Sequence, residues 1–132
     1  MSRRELREQI FKLIFRVEFH EREEMTQQEK LFFGDEELVI KEEDAEYISN
    51  KANQILDKLA EIDEMINKQA KGWTTERMGK VELTVLRVAV YEIKFDAEVP
   101  TGVAINEAVE LAKKFGQEES SGFVNGILAK FA

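Results

Sequence analysis

Apolar residues recur every three or four positions along most of this chain, and the pattern divides it into helices. Ser2-Arg3-Arg4-Glu5 has the S-x-x-E form of a capping box, so a helix is expected to start there. Leu6, Ile10, Leu13, Ile14 and Val17 then fall at helical spacing on one face. Phe11, Phe15 and Phe19 make a second stripe at four-residue intervals. Together they cover a wider arc than one core-facing side needs, so part of the Phe stripe is expected to meet another protein. An acidic linker after His20 leads to a short helix around Thr26–Phe33, which Gly34 ends. From Glu42 to about Ala70, apolar residues repeat at Ile48, Ala52, Ile55, Leu59, Ile62 and Ile66, the alternating spacing of a helix–helix seam. One long helix and two short ones broken near Ala60–Asp63 both fit this repeat.

Gly72-Trp73-Thr74 marks a turn. The run KVELTVLRVAVYEIKF, Lys80 to Phe95, has apolar residues around most of a helix's circumference and predicts a central helix. Its β-branched content also suits a strand. A run of about sixteen residues is long for a strand, however, and no partner strand is evident. After Pro100, helices are expected at about Val103–Phe115 and Ser120–Phe131, joined by a tight turn from Gly116 to Ser120. The predicted fold is all-α, a single domain over residues 1–132.

With 132 residues, 43% of them hydrophobic, and a single Pro, the sequence can bury a core and does not read as disordered. No apolar run approaches the roughly 18 residues of a membrane span. The N-terminus is charged from Arg3 and lacks an apolar signal core, so the cytoplasm is the expected location. The absence of cysteine excludes disulfides, thiolate metal sites and cysteine nucleophiles. A net charge of −8 argues against a surface that binds nucleic acid all over. The distribution is uneven: residues 1–16 hold five basic and two acidic side chains, and residues 17–50 hold three basic and twelve acidic ones. A basic end on an acidic body suits a local anion site. The acidic stretch itself reads as a solvated face.

Catalytic constellations are hard to assemble. The one histidine, His20, stands on a polar loop edge, and a di-metal carboxylate bundle needs two Glu-x-x-His pairs. There is no Gly-rich phosphate loop; Gly116, Gly122 and Gly126 fit helix caps and close packing. No nucleophile–base pair can be named, so the chain reads as a non-enzyme with no catalytic residue, metal or cofactor. The positive signal is the arginines. Arg3, Arg4 and Arg7 lie within about one helical turn, and Arg3 and Arg7 share a face. Guanidinium groups so placed pair with phosphates or stack on bases, although basic residues also decorate helices for solubility alone. Arg87, Glu92 and Glu107 stand among apolar neighbours and read as a structural hydrogen-bonded set, because buried charges need partners. Asn106 and Asn125 read as structural too, capping helices or tying backbone between them.

The most distinctive stretch is PTGVAINEAVELAKKFGQEESSGFVNGILAKF, from Pro100 to Phe131. Asn106 opens its first helix and Asn125-Gly126 sit inside the second, where a generic bundle carries Ala, Leu or Lys. This pattern resembles the C-terminal part of the NusB-type transcription antitermination factors of bacteria. The preceding WTTERMGKVELTVLRVAVYEIKFDAEVP is similar to the same family's preceding helix, and SRRELREQIFKLIF to its arginine-bearing first helix. The similarity is weakest between about residues 20 and 70. It implies about seven helices in two packed helical subdomains, and assembly rather than catalysis. The expected partners are a boxA-type single-stranded RNA, the ribosomal small-subunit protein NusE and the transcribing RNA polymerase complex. The implied outcome is passage through terminators, chiefly in ribosomal RNA operons.

The resemblance also implies site residues. Arg3, Arg4 and Arg7 match the family's RNA-contacting N-terminal region, with Glu5 standing where some relatives have a basic residue. The turn Gly116–Ser121 and Phe123 match a second RNA-proximal region. There Glu119 takes the place of an acidic residue that tempers RNA affinity, and Lys113 and Lys114 extend the phosphate track. Phe123 either stacks on a base or packs inward with Val124 and Ile127. Phe15 and Glu82 match contacts to NusE; Phe15 replaces the tyrosine of some relatives and loses its hydroxyl. Some family members form homodimers that cover the RNA face, so a homodimer is among the expected assemblies. Two other readings stand beside this one. One is a helical interaction module that dimerises through its Phe stripe. The other is the N-terminal RNA-binding domain type of ribosomal RNA cytosine methyltransferases, whose glycine-rich cofactor motif this sequence lacks.

Overall fold

The computed structural model describes residues 1–132 and contains seven α-helices and no strand. They are α1 (Arg3–Phe15), α2 (Met25–Phe33), α3 (Glu42–Asp57), α4 (Leu59–Gln69), α5 (Lys80–Phe95), α6 (Thr101–Phe115) and α7 (Ser120–Leu128). Short 3-10 turns follow α1, precede α2 and α5, and extend α7 to Phe131. The chain divides into two compact units, Met1–Asp57 and Lys58–Ala132.

In the first unit the predicted capping box forms. The Glu5 backbone N–H donates to the Ser2 hydroxyl over 3.1 Å, and the Ser2 N–H donates to the Glu5 carboxylate over 2.9 Å. Both orphan donors at the start of α1 are thereby satisfied. α1 packs against α3, with Ile10, Leu13 and Ile14 buried from one and Ile48, Ala52 and Ile55 from the other. The N-terminal ammonium of Met1 reaches Asp44 in the first turn of α3 at 3.1 Å. Arg16 secures α2. Its guanidinium donates to the carbonyl and side-chain oxygens of Gln28, at 3.2 and 3.1 Å, and lies 5.3 Å from the centre of the Phe32 ring.

The apolar seam from Ile48 to Ile66 belongs to two helices. Lys58 leaves helical geometry at φ −103° and ψ 7°, so α3 ends at Asp57 and α4 starts at Leu59. The break lies just before the Ala60–Asp63 region expected for it. Neither glycine nor proline marks it, and the apolar repeat runs through it without a change of phase.

α5 is the hub of the second unit and packs against α4, α6 and α7. Every residue from Leu83 to Glu92 is buried. A helix satisfies its own backbone groups in such a setting, whereas a lone strand leaves both edges unpaired. Burial carries Arg87 inward at 6% exposure, and its guanidinium meets Asp63 of α4 in a bidentate pair. The two hydrogen bonds measure 2.9 and 2.8 Å. Arg87 thus has the partner that its place in the pattern demanded, supplied by α4. Glu92 is buried as well, and neither it nor Glu107 lacks a partner.

The asparagine reading needs correction. α6 begins at Thr101 behind Pro100, so Asn106 lies inside the helix and not at its opening. Asn106 and Asn125 are both exposed, and the position before α7 belongs to Glu119. Neither asparagine caps a helix or ties two together. Gly122 and Gly126 are corrected likewise, since a Cβ on either would meet nothing within 4 Å. Gly116 does serve close packing: a Cβ there would lie 2.5 Å from the Ser120 hydroxyl and 2.7 Å from the Ala112 carbonyl. That hydroxyl accepts the Gln117 N–H at 2.8 Å and closes the turn between α6 and α7.

Asp63→Ala should destabilise the protein by about 2–3 kcal/mol, read from urea unfolding, because Arg87 is left buried without its carboxylate. The figure lies below that for a fully enclosed pair because Asp63 keeps 24% of its side-chain exposure. Asp63→Leu combined with Arg87→Met should recover much of the loss.

Candidate nucleic-acid interface

Arg3, Arg4 and Arg7 occupy the first two turns of α1, the first two exposed and the third half-buried. The N-terminal end of a helix carries partial positive charge from its unpaired N–H groups. Guanidinium groups there add to a field that already favours anions. Glu5 opposes it: its carboxylate caps the helix yet keeps its full negative charge beside the arginines. Hydrogen bonds from the Ser2 backbone, and then from its hydroxyl, hold the Glu5 carboxyl below the usual carboxylate range.

The Phe stripe runs from the core to the surface. Phe11 is buried, Phe15 half-buried and Phe19 59% exposed. The rings of Phe11 and Phe15 lie 6.1 Å apart and nearly parallel, and Phe19 meets Phe15 edge-on at 5.5 Å. Phe19 stands beyond α1, after the 3-10 turn at Arg16–Glu18. The aromatic surface open to a partner is therefore the outer edge of Phe15 together with Phe19.

The second unit holds a cleft of about 250 Å³ lined by Trp73, Met78, Gly79, Glu82, Gln117, Glu119, Ser120 and Phe123. One wall is the α4–α5 connection and the first turn of α5; the other is the α6–α7 turn. Gly72 supplies the left-handed conformation, φ +84°, that starts the connection. The Trp73 N–H donates to the Ala70 carbonyl at 2.8 Å, and the Thr75 N–H to the Asn67 side chain at 2.8 Å. Trp73 is thus held on a hydrogen-bonded loop, with 47% of its surface exposed. Phe123 meets it at 5.5 Å and 81°. The Arg77 guanidinium lies 5.7 Å from the Trp73 ring centre, within cation–π range.

This geometry speaks against one reading of Phe123, the inward-packed one. Val124 and Ile127 are buried, while Phe123 stays half-buried at the cleft wall. Glu82 folds back over the start of α5, so close to Gly79 that a Cβ there would lie 2.5 Å from its carboxylate. An acidic group is favourable at that helix end. The cleft therefore brings together Glu82, expected to meet a protein, and Glu119 and Phe123, expected to meet RNA. Lys113 and Lys114 are exposed on the last turn of α6 and do not line it. Lys113 lies 3.7 Å from Glu110, and the Lys114 ammonium 5.6 Å from the Phe115 ring centre. Sequence reading passed over Trp73 and Arg77. The available signal was a lone tryptophan next to a turn glycine, where burial is difficult. No cluster of three acidic, histidine or cysteine side chains is placed to hold a metal, and no helix is long and apolar enough to cross a membrane.

Comparison with known proteins places these features in context. The model of the NusB family matches residues 4–132. A transcription antitermination protein NusB of Agathobacter rectalis is 51% identical over 132 residues, covering 100% of both chains. Among solved structures, NusB of T. maritima superposes with a TM-score of 0.88 at 35% identity, over 100% of this chain and 91% of that one. A crystal structure of the antitermination factors NusB and NusE in complex with dsRNA contains a chain similar at TM-score 0.82 and 27% identity, over 98% of this chain and 94% of that one.

The cap makes a pH-dependent contribution. Glu5 titrates lower in the folded protein than in the unfolded chain, so its stabilisation is complete above the ordinary carboxylate range. It is lost as pH falls through the folded value. The stability difference between wild type and Glu5→Gln, read from denaturant midpoints, should therefore be present at neutral pH and vanish in acid.

Proposed function

The chain belongs to the NusB family, and we propose that it is an antitermination factor that binds boxA-type single-stranded RNA together with NusE. One observation carries the RNA part of this reading. On a chain of net charge −8, three guanidinium groups gather at the positive end of α1. Phosphate attraction concentrates there, while the acidic remainder discourages indiscriminate binding. The solved NusB–NusE–dsRNA complex supports RNA and NusE as partners of this chain as well. Residues 1–132 act as one RNA-binding domain in this reading.

The mechanism is assembly. Arg3, Arg4 and Arg7 take phosphates, as do Lys113 and Lys114. Phe123 and Glu119 face the strand. Phe15, with Glu82, takes NusE, and the joint surface holds RNA more tightly than either protein alone. In the cytoplasm the assembled complex acts on transcribing RNA polymerase, chiefly in ribosomal RNA operons. A homodimer that covers this surface should dissociate as RNA is added, which sedimentation reports.

Replacing Arg3, Arg4 and Arg7 by Ala should flatten the slope of log affinity against log salt by up to roughly 2 units, at about 0.7 per phosphate on a single strand. Helix α1 should survive, because Ala is a good helix former and the Ser2–Glu5 cap is untouched. NusE binding without RNA should stay near wild type, since Phe15 lies about three turns beyond Arg3. An unchanged slope and affinity would mean a solvated helix start, and would favour the protein-interaction module instead.

Phe15→Asp tests the protein partner. It should weaken NusE binding by roughly 2 kcal/mol or more, as the loss of an aromatic anchor does, with the circular-dichroism spectrum unchanged. An unfolded variant would place Phe15 in the core and end the interface assignment.

A further inference from the structure

Helix α2 is the most lightly held helix of the first unit. Its nine residues bury only Met25 and Phe32, whereas α1 and α3 bury four residues each. A helix of that length is marginal in water on its own, so α2 persists only while it is docked. No side chain caps its first turn, and residues 34–41 beyond it carry no helix. Two polar latches supplement the two apolar anchors. On one side Arg16 donates to the carbonyl and side chain of Gln28 and rests against the Phe32 ring. On the other, the Glu29 carboxylate accepts from the Ser49 hydroxyl at 2.5 Å and from the Asn53 amide at 3.3 Å, both on α3. Elements with few buried apolar contacts are the first to open locally.

Arg16 has a second attachment. It begins the 3-10 turn that follows α1, and its carbonyl accepts the Phe19 N–H at 3.1 Å. That turn brings Phe19 edge-on to Phe15. One residue therefore joins α2, through its side chain, to the outward end of the Phe stripe, through its backbone. Resting on the reading of that stripe as the NusE contact, we propose that Arg16 is the positioning residue of the NusE-facing surface. By latching α2 it holds the turn that sets Phe19 against Phe15, and the surface exists only while α2 is docked. When α2 leaves, the guanidinium loses both acceptors and the ring beside it. The turn is then anchored at its backbone alone, and Phe19 is no longer held beside Phe15. A partner that binds only the docked form meets a dissociation constant divided by the docked fraction.

Amide hydrogen exchange of the full chain, resolved by helix, tests this beside calorimetric titration with NusE. In the wild type, α2 amides should exchange through an opening of their own, faster than those of α1 and α3. Arg16→Met should speed α2 exchange about tenfold or more, the scale of hydrogen bonds from a charged donor, and leave α1 and α3 as they were. Arg16→Lys keeps the charge without the fork and should fall between. Arg16→Met combined with Glu29→Ala should leave α2 largely open, and NusE affinity should fall by the factor that the docked fraction dictates. Conversely, free NusE at about a hundred times its Kd should slow wild-type α2 exchange about a hundredfold. Phe19→Ala closes the cycle: it weakens NusE binding itself, and unlatching α2 in that background should cost nothing further. If the double variant loses protection in α1 and α3 as well, the single variants and the wild-type slowing decide.

Exchange of α2 only together with α1 and α3 overturns the latch. An unlatched α2 with unchanged NusE affinity overturns the positioning role of Arg16 and leaves NusE binding itself intact. An unlatching effect as large without Phe19 as with it runs by another route and overturns the proposal too. A wild type that binds no NusE overturns the partner reading and the positioning role together.

Discussion

A charged group carried into the interior of the second unit constrains much of what surrounds it. Arg87 lies within the ten-residue buried stretch of α5, where an unpaired guanidinium is costly. Its two hydrogen bonds to Asp63 answer that cost and set α4 in register with α5. Their register in turn fixes the ends of the connection between them, residues 70–79, which carries Trp73, Arg77 and Met78. Apolar packing alone tolerates sliding between helices; a bidentate ion pair with fixed fork geometry tolerates far less. The aromatic wall of the cleft thus depends on a largely buried polar contact outside it.

The opposite wall depends on a different kind of closeness. Gly116 lets the α6–α7 turn fold onto Ser120 with no room for a Cβ, and the Ser120 hydroxyl takes the Gln117 N–H. Gln117, Glu119 and Phe123 are all positioned by that turn. Both walls join a loop to the first turn of the helix that follows it, an arrangement that keeps side chains accessible while their backbones stay fixed.

Charge in this protein works by contrast. The acidic body makes the cationic start of α1 the favourable place for phosphate, and Glu5 is turned to capping the helix. The Phe11–Phe15–Phe19 ladder follows the same economy in apolar form: one ring anchors, the next bridges, and the last is left at the surface.

The sequence by itself determined the all-α class, the cap at Ser2, the buried character of α5 and the cationic start of α1. Each of these is written in local spacing: a period near four, an S-x-x-E quartet, a cluster within one turn. It located α2, α6 and α7 to within a few residues for the same reason. It did not locate the break at Lys58, because the apolar repeat keeps its phase across it. Asn106, Asn125, Gly122 and Gly126 looked like packing devices because small or polar residues inside apolar helices often are; only the packed structure showed that their faces point outward. Asp63 as the partner of Arg87, and the meeting of Trp73 with Phe123, join residues 24 and 50 positions apart in the chain. Helical periodicity says which side of a helix is apolar but not which neighbour it meets. The cleft, made by two loop–helix junctions distant in sequence, was therefore decided by tertiary packing alone.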